Sequence, residues 1–516
     1  MKKTLFLVIC IALCLCLFAA CGKGETTVEP SDGESADVVD TSAAFDDTTK
    51  TPGVTDLVFG DPVTDDAHRW TLISFVTSES EIPCAGVYVC EDCKEQKTKS
   101  IHYTDIDIPL VYVSGDLTGI SKENKVRSEI TYAYKNQVIS CAATLKWQGD
   151  GSLAHPKKNY SVAFYDEAFD KKKKVEIKQE WGAQSKYCLK ANYSDPTGAR
   201  NLVLSDLYGM AARTASVTDE YSELLNGGAV DGFPVLLYMN GQYAGLYNWN
   251  IPKDKWLFGM GDETAGEAVL CGDALLLDEG SGITVDEEIK GHWEIEYCNA
   301  KFTEEGGTDW AVRSFNEMLA FVQSSDKATL RAHASEYLNV DRTLDVILFS
   351  CVLGGSDTIV KNMLWTTYDG KRWAPNLYDL DRTFGRDGVQ LESPNGFEDF
   401  KGQPLYGKLF IAFFDELKER YAALRRTILN TDTVMSLFST VMEGLDDRYF
   451  RSEAERWPNA VWRETTDEVP IGSFADELKF IRTYTEKRLT YCDEIFSRTD
   501  LTYGESGYLD WGEEKK

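Results

Sequence analysis

Positive charge is scarce in this sequence of 516 residues: 54 lysines and arginines face 84 aspartates and glutamates, a formal net charge of −30. Such a surface repels nucleic-acid phosphates and anionic lipid headgroups, which argues against a nucleic-acid partner or electrostatic docking on a membrane. Long apolar runs are scarce as well. Only Thr4 to Phe18 approaches a membrane span, and it is too short for a comfortable one. There are five histidines, and no nearby histidine or second C-x-x-C pair completes four zinc ligands around Cys84, Cys90 and Cys93. Beyond the N-terminal segment the cysteines are odd in number and scattered singly, so they do not read as a disulfide framework. A local disulfide in the Cys84–Cys93 cluster and buried thiols both remain open. The acids of Asp278 to Glu288 lack the D-x-D-x-D-G spacing of a calcium loop. No internal repeat is found.

What is there begins with Met1-Lys2-Lys3, a basic start to the apolar run, and Ala19-Ala20-Cys21 at its close. This resembles a bacterial lipoprotein signal: residues 1–20 would be removed and Cys21 lipidated, with ordinary secretory cleavage after Ala20 as the alternative. Either way an exported protein is expected, and the first reading places it on the cell membrane, held by its lipid alone. Residues 21–56 are Thr, Ser, Asp, Glu and Gly with almost no large apolar side chains, a composition that cannot offset chain entropy and predicts a disordered acidic tether. Hydrophobic content of 43% and aromatic content of 12% support a true core in the remainder, read as one domain over 57–500 with a tail at 501–516.

Within that domain 57–260 is strand-like. Thr71 to Phe75, Gly86 to Val89, Leu110 to Val113, Ser128 to Tyr134, Gln137 to Trp147, Lys158 to Phe164 and Tyr187 to Asn192 alternate β-branched or aromatic residues with polar ones. A mainly antiparallel sheet is expected. Phe233 to Tyr247 carries Asn240-Gly241 at its centre, the strongest short-range hairpin signal. Glu263 to Tyr297 is acidic and glycine-rich, with short strands, and reads as a solvated insertion around Asp278 to Glu288. Residues 300–500 are mainly helical, with apolar spacing of three and four at Trp310 to Gln323, Lys327 to Tyr337, Asp341 to Leu353, Leu409 to Leu429, Thr433 to Tyr449 and Phe474 to Phe496.

One stretch of this second half carries chemistry. Asp357 is followed five residues later by Asn362, then by an aromatic strand-turn-strand, then by Tyr378-Asp379-Leu380-Asp381 and Phe384-Gly385. D-x-x-x-x-N resembles the catalytic loop of protein kinases, where the Asp orients the acceptor hydroxyl and the Asn holds magnesium; a hairpin then delivers a metal-binding Asp. Earlier in the chain come a glycine turn, Gly149-Asp150-Gly151, and two candidate phosphate lysines, Lys190 first and Lys158 second. Arg200 is a further candidate, and Asp195 a candidate helix cap.

Four blocks, Gly149 to Phe164, Lys186 to Arg200, Gly232 to Tyr247 and Asp357 to Gly385, occur in the order found in the CotH-type (spore-coat protein H) kinase-like family, which the sequence resembles. Tyr378 stands where that family usually has Trp, and Gln148 where it has a basic residue. The resemblance implies an α+β, atypical protein-kinase-like fold with a β-rich N-terminal and a helical C-terminal part. It implies phosphoryl transfer from ATP to Ser or Thr hydroxyls of an exported or surface protein. Asp357 would be catalytic; Asn362 with Asp379 or Asp381 would hold Mg2+ (or Mn2+); Lys190, Lys158, Gly149, Gly151 and Arg200 would face ATP. By the same order, Asn248 to Ile251 would border the adenine. Val389 to Lys401 would be a flexible segment for substrate docking. Two alternatives stand beside this: a surface binding module without catalysis, and a glycosyltransferase using Asp379-Leu380-Asp381 as a nucleotide-sugar metal motif.

Overall fold

Strand follows strand through the first half because stiff β-branched and aromatic side chains alternate with polar ones, with glycine and asparagine at the turns. The computed structural model describes residues 59–65, 68–77, 83–90, 92–100, 108–135, 137–214, 220–272, 293–355, 362–386, 404–458, 460, 472–499, 502–503 and 509–510. Cys21, the tether, Asp357 and the 389–401 segment lie outside the described residues. β1 (Phe59–Asp65), β2 (His68–Thr77), β3 (Pro83–Cys90) and β4 (Gln96–Ser100) pair antiparallel in sequence order. β5 (Leu110–Ser114), β6 (Val126–Tyr134), β7 (Gln137–Gln148) and β8 (Asn159–Phe164) form a second antiparallel run. Two short strands, β9 (Val175–Glu176) and β10 (Ala183–Gln184), pair with each other.

β11 (Lys186–Lys190) then lies against β8, and the hairpin of β12 (Gly232–Met239) and β13 (Gln242–Asn250) completes the sheet. β13 pairs with β11, and β12 pairs parallel with β5. The result is a closed barrel in the order β11-β13-β12-β5-β6-β7-β8, where the sequence predicts only an antiparallel sheet. Closure rests on Leu236 to Met239 pairing with Leu110 to Val113, segments far apart in the chain and joined by no local signal. Val111, Ile130, Leu145, Val162, Leu189, Val235, Leu237 and Trp249 fill the interior. The intervening residues Leu110, Leu236, Tyr238 and Leu246 belong instead to the core shared with the helices.

α1 (Arg200–Ala212) separates β11 from β12 and is buried along nearly its whole length. After β13 come β14 (Ala268–Gly272) and β15 (Trp293–Cys298), then α2 (Asp309–Ser324), α3 (Lys327–His333) and α4 (Val340–Leu353). β16 (Met363–Thr367) and β17 (Ala374–Asn376) follow, joining a four-stranded sheet in the order β15-β14-β16-β17. The short strands expected within Glu263 to Tyr297 are thus present at both its described ends, while Asp278 to Glu288 lies outside the described residues. Ala268 to Gly272 is buried throughout and pairs with Met363 to Thr367, a partner its acidic flanks give no hint of.

α5 (Pro404–Ala412), α6 (Phe414–Arg425), α7 (Thr431–Val441), α8 (Asp447–Arg456) and α9 (Phe474–Phe496) complete the helical half. Two expected helices are each broken in two. Phe413 leaves helical geometry (φ −116°, ψ 27°) between α5 and α6. Gly444 turns the chain at φ +82° before Asp446 caps α8 by accepting the Arg448 N–H. The chain is an α+β protein with a strand-rich N-terminal half and a helical C-terminal part. No helix among the described residues is long and apolar enough to cross a membrane.

Candidate active site

The β16–β17 hairpin turns where its Asp-Gly pair predicts. Asp369 Oδ1 accepts the N–H groups of Lys371 (2.9 Å) and Arg372 (2.7 Å), and Gly370 takes a left-handed φ of +73°. At the open end, Asn362 stands just before β16 and Tyr378 two residues after the end of β17. Asn362 (φ +52°) and Asp379 (φ +60°) are both left-handed there. Non-glycine residues hold that conformation only where surroundings impose it, and such places concentrate at working sites.

The surroundings are identifiable. Asn201, second residue of α1, accepts the Leu380 N–H at 3.0 Å. Arg200 Nε donates to the Thr383 carbonyl at 3.1 Å, while Thr383 Oγ1 donates back to the Leu380 carbonyl at 2.7 Å. The start of α1 thus clamps the turn that carries Asp381. Arg200 has no exposed surface: Nη1 pairs with Asp195 Oδ1 at 2.5 Å and Nη2 with Glu477 on α9. Glu477 also receives Nε of Arg386 at 3.0 Å and its Nη2. Burial alone would raise the Glu477 carboxyl, but Arg200 and Arg386 outweigh it and hold it below the usual carboxylate range. Arg200 as an ATP contact is thereby corrected. Its donors are committed inside the protein, and its effect on the site runs through the Leu380–Thr383 turn. Asp195 accepts the N–H of Arg200 at 2.8 Å, close to the capping role its position predicts.

Lys190 ends β11 and points at the hairpin mouth. Its Nζ lies 3.2 Å from the Tyr378 hydroxyl and 3.6 Å from Asp379 Oδ1. Burial works to lower this ammonium, but the Tyr378 oxygen and Asp379 outweigh it and hold it above the ordinary lysine value. Asn248 is its cross-strand neighbour on β13, so the strand expected to border the base adjoins the expected phosphate lysine. Asp381 is the other half of the pattern. Burial, then the negative charges of Asp379 and Asp195, push its carboxyl up to about 8. A carboxyl that neighbouring carboxylates raise despite Lys190 and Arg382 is one that a divalent ion relieves, and oxygen donors suit magnesium. The chemistry of Asp379 and Asp381 therefore suits such an ion, with the Asn362 amide as a candidate third donor. Among the described residues no group of three or more His, Cys, Asp or Glu stands ready for a metal, so the amide or a ligand oxygen must complete it.

The glycine turn is held from below. Gly149 adopts φ +112°, and a Cβ there would sit 2.1 Å from Ser152 Oγ, so the position requires glycine. Gly151 has no positive φ and open space around it; nothing in the backbone demands glycine there. Lys158 does not reach across as a phosphate ligand would. Its Nζ donates to the carbonyls of Leu153 and His155, each at 2.6 Å, fastening the turn. Asn159 accepts the Ala191 N–H at 2.7 Å and donates to Ser152 Oγ at 3.2 Å, tying the turn to the end of the Lys190 strand. His155 stacks on Tyr193 at 4.7 Å, and burial with the charges of Lys158 and Arg382 lowers its pKa. Arg382 follows Asp381, so the turn and the acidic hairpin end face one another.

The fold and this site define an α+β protein whose barrel presents a lysine and a glycine turn to an acidic hairpin mouth carried by the helical half. Residues 145–492 match the family described as CotH kinase protein, and the chain belongs to that family. The curated proteins gave no match. Membership points to a kinase-like function, with phosphotransferase chemistry as its natural form.

Sequence reasoning missed Asn201, Glu477 and Arg386, which hold the Leu380–Thr383 turn. It also missed Lys253, whose Nζ lies 4.9 Å over the Tyr378 ring beside Lys190. Only the order of Asp195, Arg200 and Asn201 around a helix start offered any signal; Glu477 and Lys253 offered none.

Proposed function

We propose that this chain is an exported kinase, anchored by lipid at Cys21, that moves phosphate from ATP to Ser or Thr hydroxyls of exported or surface proteins. The observation that carries the reading is Lys190 set 3.6 Å from Asp379, in a D-x-D turn pinned by α1 and faced by a glycine turn. The atypical kinase-like fold belongs to the same proposal: a glycine turn and strand lysine above, an acidic hairpin below. Phosphoryl transfer asks little covalent chemistry of a protein and much positioning and charge neutralisation. Asn362, Asp379 and Asp381 would hold Mg2+ (or Mn2+), which supplies charge neutralisation at the phosphates. Lys190 steadies phosphate oxygens, Gly149 lets the turn backbone approach them, and Asp357 orients the acceptor hydroxyl.

The test is Asp357→Asn in the full chain. It should melt like the wild type, keep magnesium-dependent ATP binding and lose most phosphate transfer to itself or to exported proteins. Full transfer in that variant would remove Asp357 from the chemistry. The anchor is tested separately: Cys21→Ser should leave an unprocessed precursor or release the protein, and normal processing with membrane retention would refute lipidation.

A binding module without catalysis is the second reading. It draws on Gln148 in place of a basic residue and on Lys158, which serves the glycine turn. Absence of any magnesium-dependent ATP binding would favour it. The glycosyltransferase alternative has no such support, since β12 with β5 is the one parallel ladder among the described strands and a doubly wound nucleotide domain needs several.

A further inference from the structure

Lys253 belongs to no motif, yet it ends beside Lys190. β13 stops at Asn250, and two residues later Lys253 reaches the face of Tyr378, its Nζ 4.9 Å from the ring centroid against 5.3 Å for Lys190. Both side chains are mostly withdrawn from water, at 16% and 11% exposure. Glu296 Oε1 on β15 lies 2.8 Å from Lys253 Nζ, and Cys271 Sγ on β14 lies 2.7 Å from it. An ammonium has three donors, so these two contacts fix its direction and leave one N–H to give.

A purely structural ion pair between the end of β13 and β15 would explain Glu296 but not the rest. It needs neither the aromatic ring nor a second ammonium over the same ring. Each ammonium has a carboxylate beside it, Asp379 for Lys190 and Glu296 for Lys253, yet in a chain short of positive charge two of them over one tyrosine ring are a concentration of cation. A polyanion reaching both would give each ammonium a further acceptor. Their common distance to one ring puts both nitrogens within the span of a single triphosphate chain.

We infer that Lys253 is a second phosphate-binding cation of this site, held in position by Glu296 and Cys271, so that a nucleoside triphosphate is gripped by two lysines beside Tyr378. Glu296 acts as a positioning residue. The inference rests on the phosphotransferase reading and adds a residue to it.

Isothermal titration of the full chain with ATP and with AMP, both with magnesium, tests it. Lys253→Met keeps the apolar stem over Tyr378 and removes the charge. It should weaken ATP by about ten- to hundredfold, the worth of one charge-assisted hydrogen bond, and AMP much less. Lys253→Arg should recover most of the ATP affinity. Lys186→Met, which removes an exposed lysine 3.4 Å from Asp254, controls for net charge and should change neither. Glu296→Gln should weaken ATP more than AMP, and it carries the test if Lys253→Met fails to fold. Unchanged ATP affinity in Lys253→Met, or equal loss for ATP and AMP, overturns the inference. Failure of the wild type to bind ATP at all overturns the phosphotransferase reading instead.

Discussion

Arg200 and Lys190 stand close in the chain, one opening α1 and the other ending β11, and each faces two carboxylates. Around Arg200 the charges balance. Asp195 and Glu477 are answered by Arg200 and Arg386, all four are buried, and the bonds close on themselves or on the Thr383 carbonyl. Around Lys190 they do not. Asp379 is partly exposed, and Asp381 carries a raised pKa although Lys190 and Arg382 both act to lower it. A saturated cluster has nothing left to offer a ligand, however well its residue types suit one. An unsaturated cluster holds its imbalance only because the surrounding turn is fixed, and that fixing is the work of the saturated one through Arg200 and Thr383. The two are frame and site.

Breaking the frame should have the largest effect. Glu477→Gln leaves Arg386 without its buried counter-charge and Arg200 with Asp195 alone, and should cost roughly 3–5 kcal/mol, the range for half of a buried pair. Denaturant unfolding checks this, and a loss under about 1 kcal/mol would mean that the cluster is not the frame described.

Next comes the site. Asp379→Ala and Asp381→Asn should leave the ligand-free protein about as stable as the wild type at neutral pH, the first because it removes the charge that Asp381 faces and the second because Asp381 is already uncharged there. Both should diminish the melting shift that ATP and magnesium produce together; a ligand at ~100 times its Kd adds roughly 2.7 kcal/mol, which is easily seen. A full shift in both variants would take the D-x-D turn out of the site.

The clusters should also answer pH in opposite directions. Asp381 keeps its proton in the folded state to about 8, while the unfolded chain loses it in the ordinary carboxylate range near ~4. The folded state thus binds more protons across that window, and stability from this group falls as pH rises through it. Glu477 is held low, so its contribution is present above the ordinary carboxylate range and is lost as pH falls below it. Urea midpoints from pH 5 to 8 should therefore decline in the wild type, flatten with magnesium and flatten in Asp381→Asn. A slope indifferent to both would separate Asp381 from the metal.

The smallest effect is expected at Lys158. Lys158→Met removes two donors to the glycine turn, about 1 kcal/mol each at most. It should lower the melting temperature a little while ATP affinity stays within a few-fold; Lys190→Met should do the reverse. If Lys158→Met abolishes ATP binding, that lysine turns to phosphate when a nucleotide is present.

Local chemistry made part of this legible from the residues alone. Alternation marked most strands from His68 to Asn250, though not Gln96–Ser100 or the short pair Val175–Glu176 and Ala183–Gln184; Asn240-Gly241 took positive φ at both positions (49° and 82°), and the Asp369-Gly370 turn fell where its residues demand. Helix spacing found α2, α4 and α9 within a residue or two of their ends. The acidic hairpin end and Lys190 were also readable, because residue type and chain order were enough to single them out. Residue type misled at Arg200 and Lys158, which have the chemistry to bind phosphate and use it on carboxylates and carbonyls within the fold.

By itself, then, the sequence determined the strand-rich and helical halves, the turns and the D-x-D hairpin, since each depends on side chains only a few positions apart. The tertiary structure alone decided the closure of the barrel through β5 and β12, the entry of β14 into the hairpin sheet, the Arg200–Glu477 frame and the meeting of Lys253 with Tyr378. Each of these joins segments distant along the chain, and no periodicity records which distant partner a strand edge, a buried charge or a lysine will find.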